Sequence, residues 1–187
     1  MNETAFIDRL RAIAAHPAAR GLLDDAAVLA LGGTALVLTH DMLVEGVHFL
    51  PDDAPGGVAW KLVAVNMSDL AAKGAEPLGV LMGAGLARGD SWDAAFADGL
   101  GAALDHFGAP LLGGDTVAMP AAGPVTLGLT AIGRAPASGA PSRGGARAGD
   151  ELWVSGPIGD AGLGLLARQG RIADAPAALV QAYTHPQ

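Results

Sequence analysis

Between Val58 and Lys73 the chain carries a helical stretch that is apolar except at its centre. There Asn66, Ser68 and Asp69 stand between Val63-Ala64-Val65 and Leu70-Ala71-Ala72. A helix so apolar has to be covered by other structure, which fixes it as a core element rather than a surface one. Polar groups inside it cost free energy unless something satisfies them. A hard cation such as Mg2+, which takes oxygen ligands and keeps some of its waters, would do so. Gly74 stops the helix, and Pro77 to Leu86 reads as the strand that follows.

The remaining pattern predicts elements on both sides. Phe6, Ile7, Leu10 and Ile13 share one face of a helix over residues 4–16, with Thr4 as its cap. After a turn at Gly21 to Asp25 and an apolar stretch from Ala26 to Leu31, Gly32-Gly33 makes a hairpin-like break. Thr34 to Thr39 then reads as a strand ending at His40-Asp41. Asp90-Ser91 caps a second long helix whose inward face is Trp92, Ala95, Phe96, Leu100, Ala103, Leu104 and Phe107, stopped by Gly108. Pro110 to Leu112 reads as a short buried strand leading into the turn Gly113-Gly114-Asp115-Thr116, and Val125 to Ile132 as another strand. Hairpin-like connections with interspersed helices predict an α+β fold, a mixed, mainly antiparallel sheet packed with helices.

Residues 138–149 lie in a stretch rich in Pro, Gly, Ser and Ala, read as a linker loop. Beyond it come a strand at Glu151 to Ser155 and helices near Asp160 to Arg168 and Ala177 to Tyr183. Residues 150–187 are too few to close a core of their own. The expected division is therefore a first domain over 1–137, the linker, and the opening elements of a second domain.

Charge narrows the function. With net charge −8 there is no basic stripe to neutralise a phosphodiester backbone, so nucleic acid is excluded as a partner. Without Cys there is neither a disulfide scaffold nor a thiolate zinc site. No apolar run reaches the roughly 18 residues of a membrane span. Met1-Asn2-Glu3-Thr4 lacks a basic signal-peptide region, and the expected compartment is the cytoplasm. The acids are lopsided, 15 Asp against 4 Glu, and Asp is both a turn residue and a hard-cation ligand.

Two nucleotide motifs fail. The glycines of Gly83-Ala84-Gly85-Leu86-Ala87-Arg88-Gly89 are misplaced for a dinucleotide loop. Neither Lys61 nor Lys73 is followed by the Ser or Thr of a Walker loop. What remains is a set of aspartates at turns and element ends: Asp24-Asp25, Asp41, Asp69 and Asp115. His48, one loop from Asp41, is kept as an anion contact. His40 beside Asp41 is no zinc signature, because the other ligands are missing.

Five segments in order resemble the thiamine-monophosphate kinase family, whose superfamily includes aminoimidazole ribonucleotide synthetase and selenophosphate synthetase. They are Asp24-Asp25-Ala26-Ala27; Thr39 to Phe49, with its Val44-Glu45-Gly46-Val47-His48-Phe49 stretch; Ala64 to Pro77; Gly113-Gly114-Asp115-Thr116; and Gly149 to Gly156. The resemblance implies an aminoimidazole ribonucleotide synthetase-like N-terminal domain that pairs into a homodimer through its sheet. It implies ATP-dependent phosphorylation of thiamine monophosphate to thiamine diphosphate. Several Mg2+ ions would be held by Asp25, Asp41, Asp69 and Asp115, with Thr39 and His40 also lining the metal site. Gly114 and Asp115 would contact the phosphates of ATP, as would Arg143, and His48 the thiamine phosphate. The acceptor phosphate is largely ionised at neutral pH and needs no general base. The obstacle is bringing two polyanions together in line.

The chain departs from the family pattern at Leu23, where Gly is usual, and at His40 and Met42, where Thr is usual; the last two alter the surroundings of Asp41. The family's later Ser-Asp-Gly and Gly-Glu-Asp-Tyr-Glu segments do not occur here, so the expectation is a truncated chain with impaired turnover. The alternatives are a non-catalytic, dimerising module that binds Mg2+ and nucleotide, or a superfamily relative acting on another small substrate.

Overall fold

A computed structural model describes residues 3–120 and 122–187. The apolar stretch from Val58 falls within helix α2 (Pro55–Ala72), which lies across a five-stranded sheet. Pro55 starts it at a position where its missing N–H costs nothing, and Gly74 leaves it at φ +60°. The strands are β1 (Ala27–Leu31), β2 (Thr34–Val44), β3 (Glu76–Leu86), β4 (Leu111–Ala118) and β5 (Thr126–Arg134). Their order is β1-β2-β5-β3-β4, antiparallel except for β3 and β4. That parallel pair is joined through helix α3 (Asp90–Phe107), the crossover such a pair requires.

The core lies between one face of the sheet and helices α2 and α3. Val37, Val80, Leu127, Leu129 and Ala131 from the strands meet Leu62, Val63, Phe96 and Leu100 from the helices. The two helices cross at Gly56 and Gly99, where a Cβ on Gly99 would run into the Gly56 backbone. The other face of the sheet is left largely open by the described residues and carries Met42, Leu81 and Val117, all exposed. The mixed sheet with helices is the α+β fold that the sequence predicts.

Several local expectations are corrected. Strand β2 does not end at His40-Asp41 but runs to Val44, because β5 pairs with it from Leu36 to Val44. Gly113-Gly114-Asp115-Thr116 is not a turn after a buried strand. It lies within β4, an exposed edge strand that β3 holds in parallel register through the glycines. Residues 151–155 form no strand; no neighbouring strand pairs with them, and Leu152 and Trp153 are exposed. Asp90 is the first residue of α3 rather than its cap; with Asp93 it places negative charge at the positive end of the helix dipole. Ala95 faces outward. The first helix is α1 (Glu3–Ile13), and Phe6 and Ile13 on its apolar face are exposed.

The last two helices, α4 (Asp160–Arg168) and α5 (Ala177–Thr184), pack on each other, and α5 also touches α2. Trp60 Nε1 donates to Pro186 O at 2.8 Å, and Tyr183 Oη to Asp53 Oδ2 at 2.7 Å. Among the described residues no helix is long and apolar enough to cross a membrane.

Candidate functional site

Pairing between β1 and β2 covers β2 only from Thr34 to Leu38. Beyond that point the strand runs on with its edge open, and α2 fills the gap. Asn66, wholly buried, accepts the Asp41 N–H on Oδ1 at 3.1 Å and donates from Nδ2 to Leu62 O at 2.9 Å. The polar residue that seemed to demand a cation is satisfied by backbone instead. Ser68 is exposed and needs no partner in the core.

One turn further along α2, Asp69 Oδ2 accepts the Thr39 hydroxyl at 2.5 Å, and that hydroxyl also lies 3.3 Å from Asp25 O. The seam between β2 and α2 thus gathers Asp25, Thr39, Asp41 and Asp69. Burial pushes the Asp41 carboxyl up, and the charges of Asp69 and Asp25 push it further, against the opposing pull of His40 and His48. Two nitrogens of Arg143 engage Asp25 from the Gly-rich loop, Nε to Oδ2 at 3.1 Å and the terminal nitrogen to Oδ1. Arg20 anchors the same loop through Ala140 O at 3.0 Å and Pro141 O at 3.1 Å.

The other expected residues stand elsewhere. His40, next to Asp41 on an extended strand, points to the opposite face, where its Nδ1 meets Thr130 Oγ1 at 2.8 Å. With Met42, Asp115 and Gly128 it lines a separate cleft of about 340 Å³ on the open face. Gly114 lies on β4 so close to β3 that a Cβ would strike Met82 O. His48 is exposed, and its Nδ1 accepts the Val44 N–H at 3.0 Å, so the neutral ring carries its proton on Nε2. Among the described residues no three Asp, Glu or His side chains are gathered to hold one ion.

Residues 23–135 match the family described as AIR synthase related protein, N-terminal domain. The chain belongs to this AIR synthase-related family. It is 46% identical to a thiamine-monophosphate kinase of Caulobacter vibrioides over 91% of this chain and 49% of the relative. It therefore spans about half the length of the curated relatives it matches. The structure described as "AaThiL complexed with AMPPCP and TMP" superposes with a TM-score of 0.87 at 28% identity, over 99% of this chain and 59% of that one. Thiamine monophosphate kinase from Aquifex aeolicus gives a TM-score of 0.84 at 27% identity, over 100% and 62%.

Sequence reasoning missed a buried ion-pair network beside this AIR synthase-related site. Asp24 accepts from Lys73 Nζ, and from Arg20 at 2.7 Å, with Lys73 and Asp24 side chains both 3% exposed. The signal was available: Lys73 is one of only two lysines and ends the apolar helix. Asp53 is a second case, buried under Tyr183 and Arg168 from the last two helices. Those partners are more than a hundred residues away in the chain, so no local pattern announces them.

Proposed function

We propose that this chain carries the metal- and nucleotide-binding half of a kinase that uses ATP to phosphorylate thiamine monophosphate to thiamine diphosphate. The observation that carries this reading is the seam where the Thr39 hydroxyl meets Asp69 and the Asp25 backbone, with Asp41 in the field of both carboxylates, in a fold similar to that of a protein complexed with AMPPCP and TMP. On this reading residues 1–137 are the binding domain, 138–149 its linker loop, and 150–187 the opening of a second domain.

The donor set fits Mg2+. On the helix-covered face it is all oxygen, carboxylate and hydroxyl, and Asp41 sits among like charges that a cation would relieve. Asp25, Thr39, Asp41 and Asp69 would hold ions on the helix-covered face, and His40 and Asp115 would serve others from the open face. When bound, the ions supply the charge compensation that lets two polyanions meet. The chain's own groups do the rest. Arg143 carries a planar guanidinium suited to phosphate oxygens, and its loop is tethered through Arg20. His48 would offer its Nε2–H to the thiamine phosphate, and the Gly114-Asp115 segment would contact the ATP phosphates. Phosphate attacks phosphate, so no side chain is assigned as general base. The largely open face with Met42, Leu81 and Val117 is where a second copy would pack, giving a homodimer.

Calorimetric titration with AMPPCP tests the reading. Binding should require Mg2+ and should vanish in Asp69→Ala; unchanged, metal-independent binding would overturn it. The alternative of a binding module without turnover is separated by assay. Chain supplied with ATP, Mg2+ and thiamine monophosphate should form little or no thiamine diphosphate, and robust turnover would dismiss the module and the expectation of impaired activity together.

A further inference from the structure

A cavity of about 270 Å³ lies between the loop before α2, the first turns of α2, and helices α4 and α5. Its walls are mostly apolar, with Phe49, Val58 and Val180 contributing, and Lys61 lines it. The surroundings of Lys61 leave its amine without a carboxylate partner among the described residues. Its Nζ sits 3.4 Å from the centroid of the Tyr183 ring and 3.4 Å from His48 O. The nearby Asp53 is already committed: Oδ2 takes the Tyr183 hydroxyl and the Leu50 N–H, at 2.7 and 2.9 Å, and Oδ1 takes Arg168 Nε at 3.2 Å. Lys73, the other lysine, is buried against Asp24.

We propose that Lys61 is an acylation site, an amine that takes a small acyl group from an acyl phosphate into the cavity beside it. The Nζ lone pair attacks the acyl carbon and a C–N bond forms. The bond from that carbon to the phosphate oxygen breaks, inorganic phosphate leaves with the electron pair, and the amine proton passes to solvent. The cavity is several times the ~30 Å³ share of a water molecule, which is room for an acetyl group. The product amide is neutral, so the cation over the Tyr183 ring is lost and with it one tie between α2 and α5.

The electrostatics favour the free amine. Burial holds Lys61 down at about 8, with Asp53 pulling the other way. The other charged or titratable groups around the cavity are Asp52 on the loop, Arg168 on α4 and His185 just beyond α5. The Tyr183 phenol, pushed up by burial and by Asp53, stays neutral. Near neutral pH a larger share of Lys61 than of an ordinary lysine is therefore unprotonated.

The test is incubation of the whole chain with acetyl phosphate across pH 6.5 to 9.5, with occupancy at each lysine read by peptide mass spectrometry. Lys61 should acetylate at least tenfold faster than Lys73, with a half-maximal rate near pH 8. In urea the two lysines should react alike. Asp53→Asn removes the charge that favours the ammonium and should move the midpoint lower. Lys61 reacting no faster than Lys73, selectivity that persists in urea, or a rate still climbing tenfold per pH unit above pH 9 would each overturn the proposal.

Discussion

Arg143 grips Asp25 with two of its guanidinium nitrogens, so the loop that would meet the phosphates of ATP rests on a carboxylate that would hold a metal. On the proposed reading a metal ion would compete with the guanidinium for the same oxygens, so that releasing Arg143 to the nucleotide and Asp25 to the ion would be one event.

Arg143→Met should separate the two. An exposed ion pair of this kind is worth about 0.2–1 kcal/mol, so binding of Mg2+ alone should tighten by about 1.4- to fivefold. Binding of AMPPCP with Mg2+ should weaken, because the phosphates lose a donor. Calorimetry with each ligand in turn checks both arms. Metal affinity that does not change would mean that Arg143 and the ion do not contend for Asp25.

Asp41→Asn should stabilise the metal-free protein. Burial and the charges of Asp69 and Asp25 hold the Asp41 carboxyl above its unfolded value. The native state then binds more protons than the unfolded state just above that unfolded value. Stability falls as pH rises through this window, and the deficit persists at neutral pH. Removing the charge removes the deficit; each kcal/mol recovered raises the melting temperature by about 2–4 °C in a chain of this size. Added Mg2+ should raise the melting temperature of the unaltered protein and leave the variant's unmoved. A variant that melts lower without metal would contradict the charge argument.

Helices α2 and α3 were legible because apolar period and glycine stops are local signals, and each lies within a few residues of its expected bounds. Asp25, Asp41 and Asp69 were singled out by their places at element ends and within α2, but among the described residues no three such side chains gather to hold one ion. What stayed hidden depends on register. A strand ending at His40-Asp41 would leave both residues free to turn toward one ion. Pairing with β5 carries the strand to Val44, and adjacent residues must then point to opposite faces. The same cause separates Asp115 from the group: its glycines read as a turn, whereas parallel pairing with β3 extends them. Asn66 was misjudged for another reason, since the partner of its side chain is the unpaired edge of a distant strand.

Asn66→Leu follows from that edge. The substitution deprives the Asp41 N–H of its acceptor and Leu62 O of a donor in a fully buried place. Leaving a buried donor unsatisfied costs about 1–3 kcal/mol, so the urea midpoint should fall with the slope of the transition unchanged. Since Asp41 is then no longer held, Mg2+ binding should weaken as well. A midpoint equal to that of the unaltered protein would mean that water replaces the amide at no cost.

Lys73→Met addresses the ion pairs beside the site. Burial alone would raise the Asp24 carboxyl, but hydrogen bonds from Lys73, Arg20 and the Asp25 N–H outweigh it and bring it to about 2. A carboxyl held below its unfolded value contributes stability that is present above that value and lost as pH falls from about 4 toward 2. Removing one partner of a buried pair costs about 3–5 kcal/mol, here moderated because Arg20 remains on Asp24 Oδ2. The variant should therefore unfold at lower urea concentration at pH 7. Followed by circular dichroism, its deficit against the unaltered protein should shrink as pH falls from about 4 toward 2, because without the ammonium the Asp24 carboxyl is held less far below its unfolded value and has less stability to lose to acid. Asp24→Asn in the same background separates the groups. If Lys73 acts through the Asp24 charge, the double variant should recover at pH 7 the part of the loss that comes from leaving that charge buried without the ammonium. If the deficit of Lys73→Met is as large at pH 3 as at pH 7, the pair does not contribute to acid stability, and Lys73 serves only to fill the end of α2.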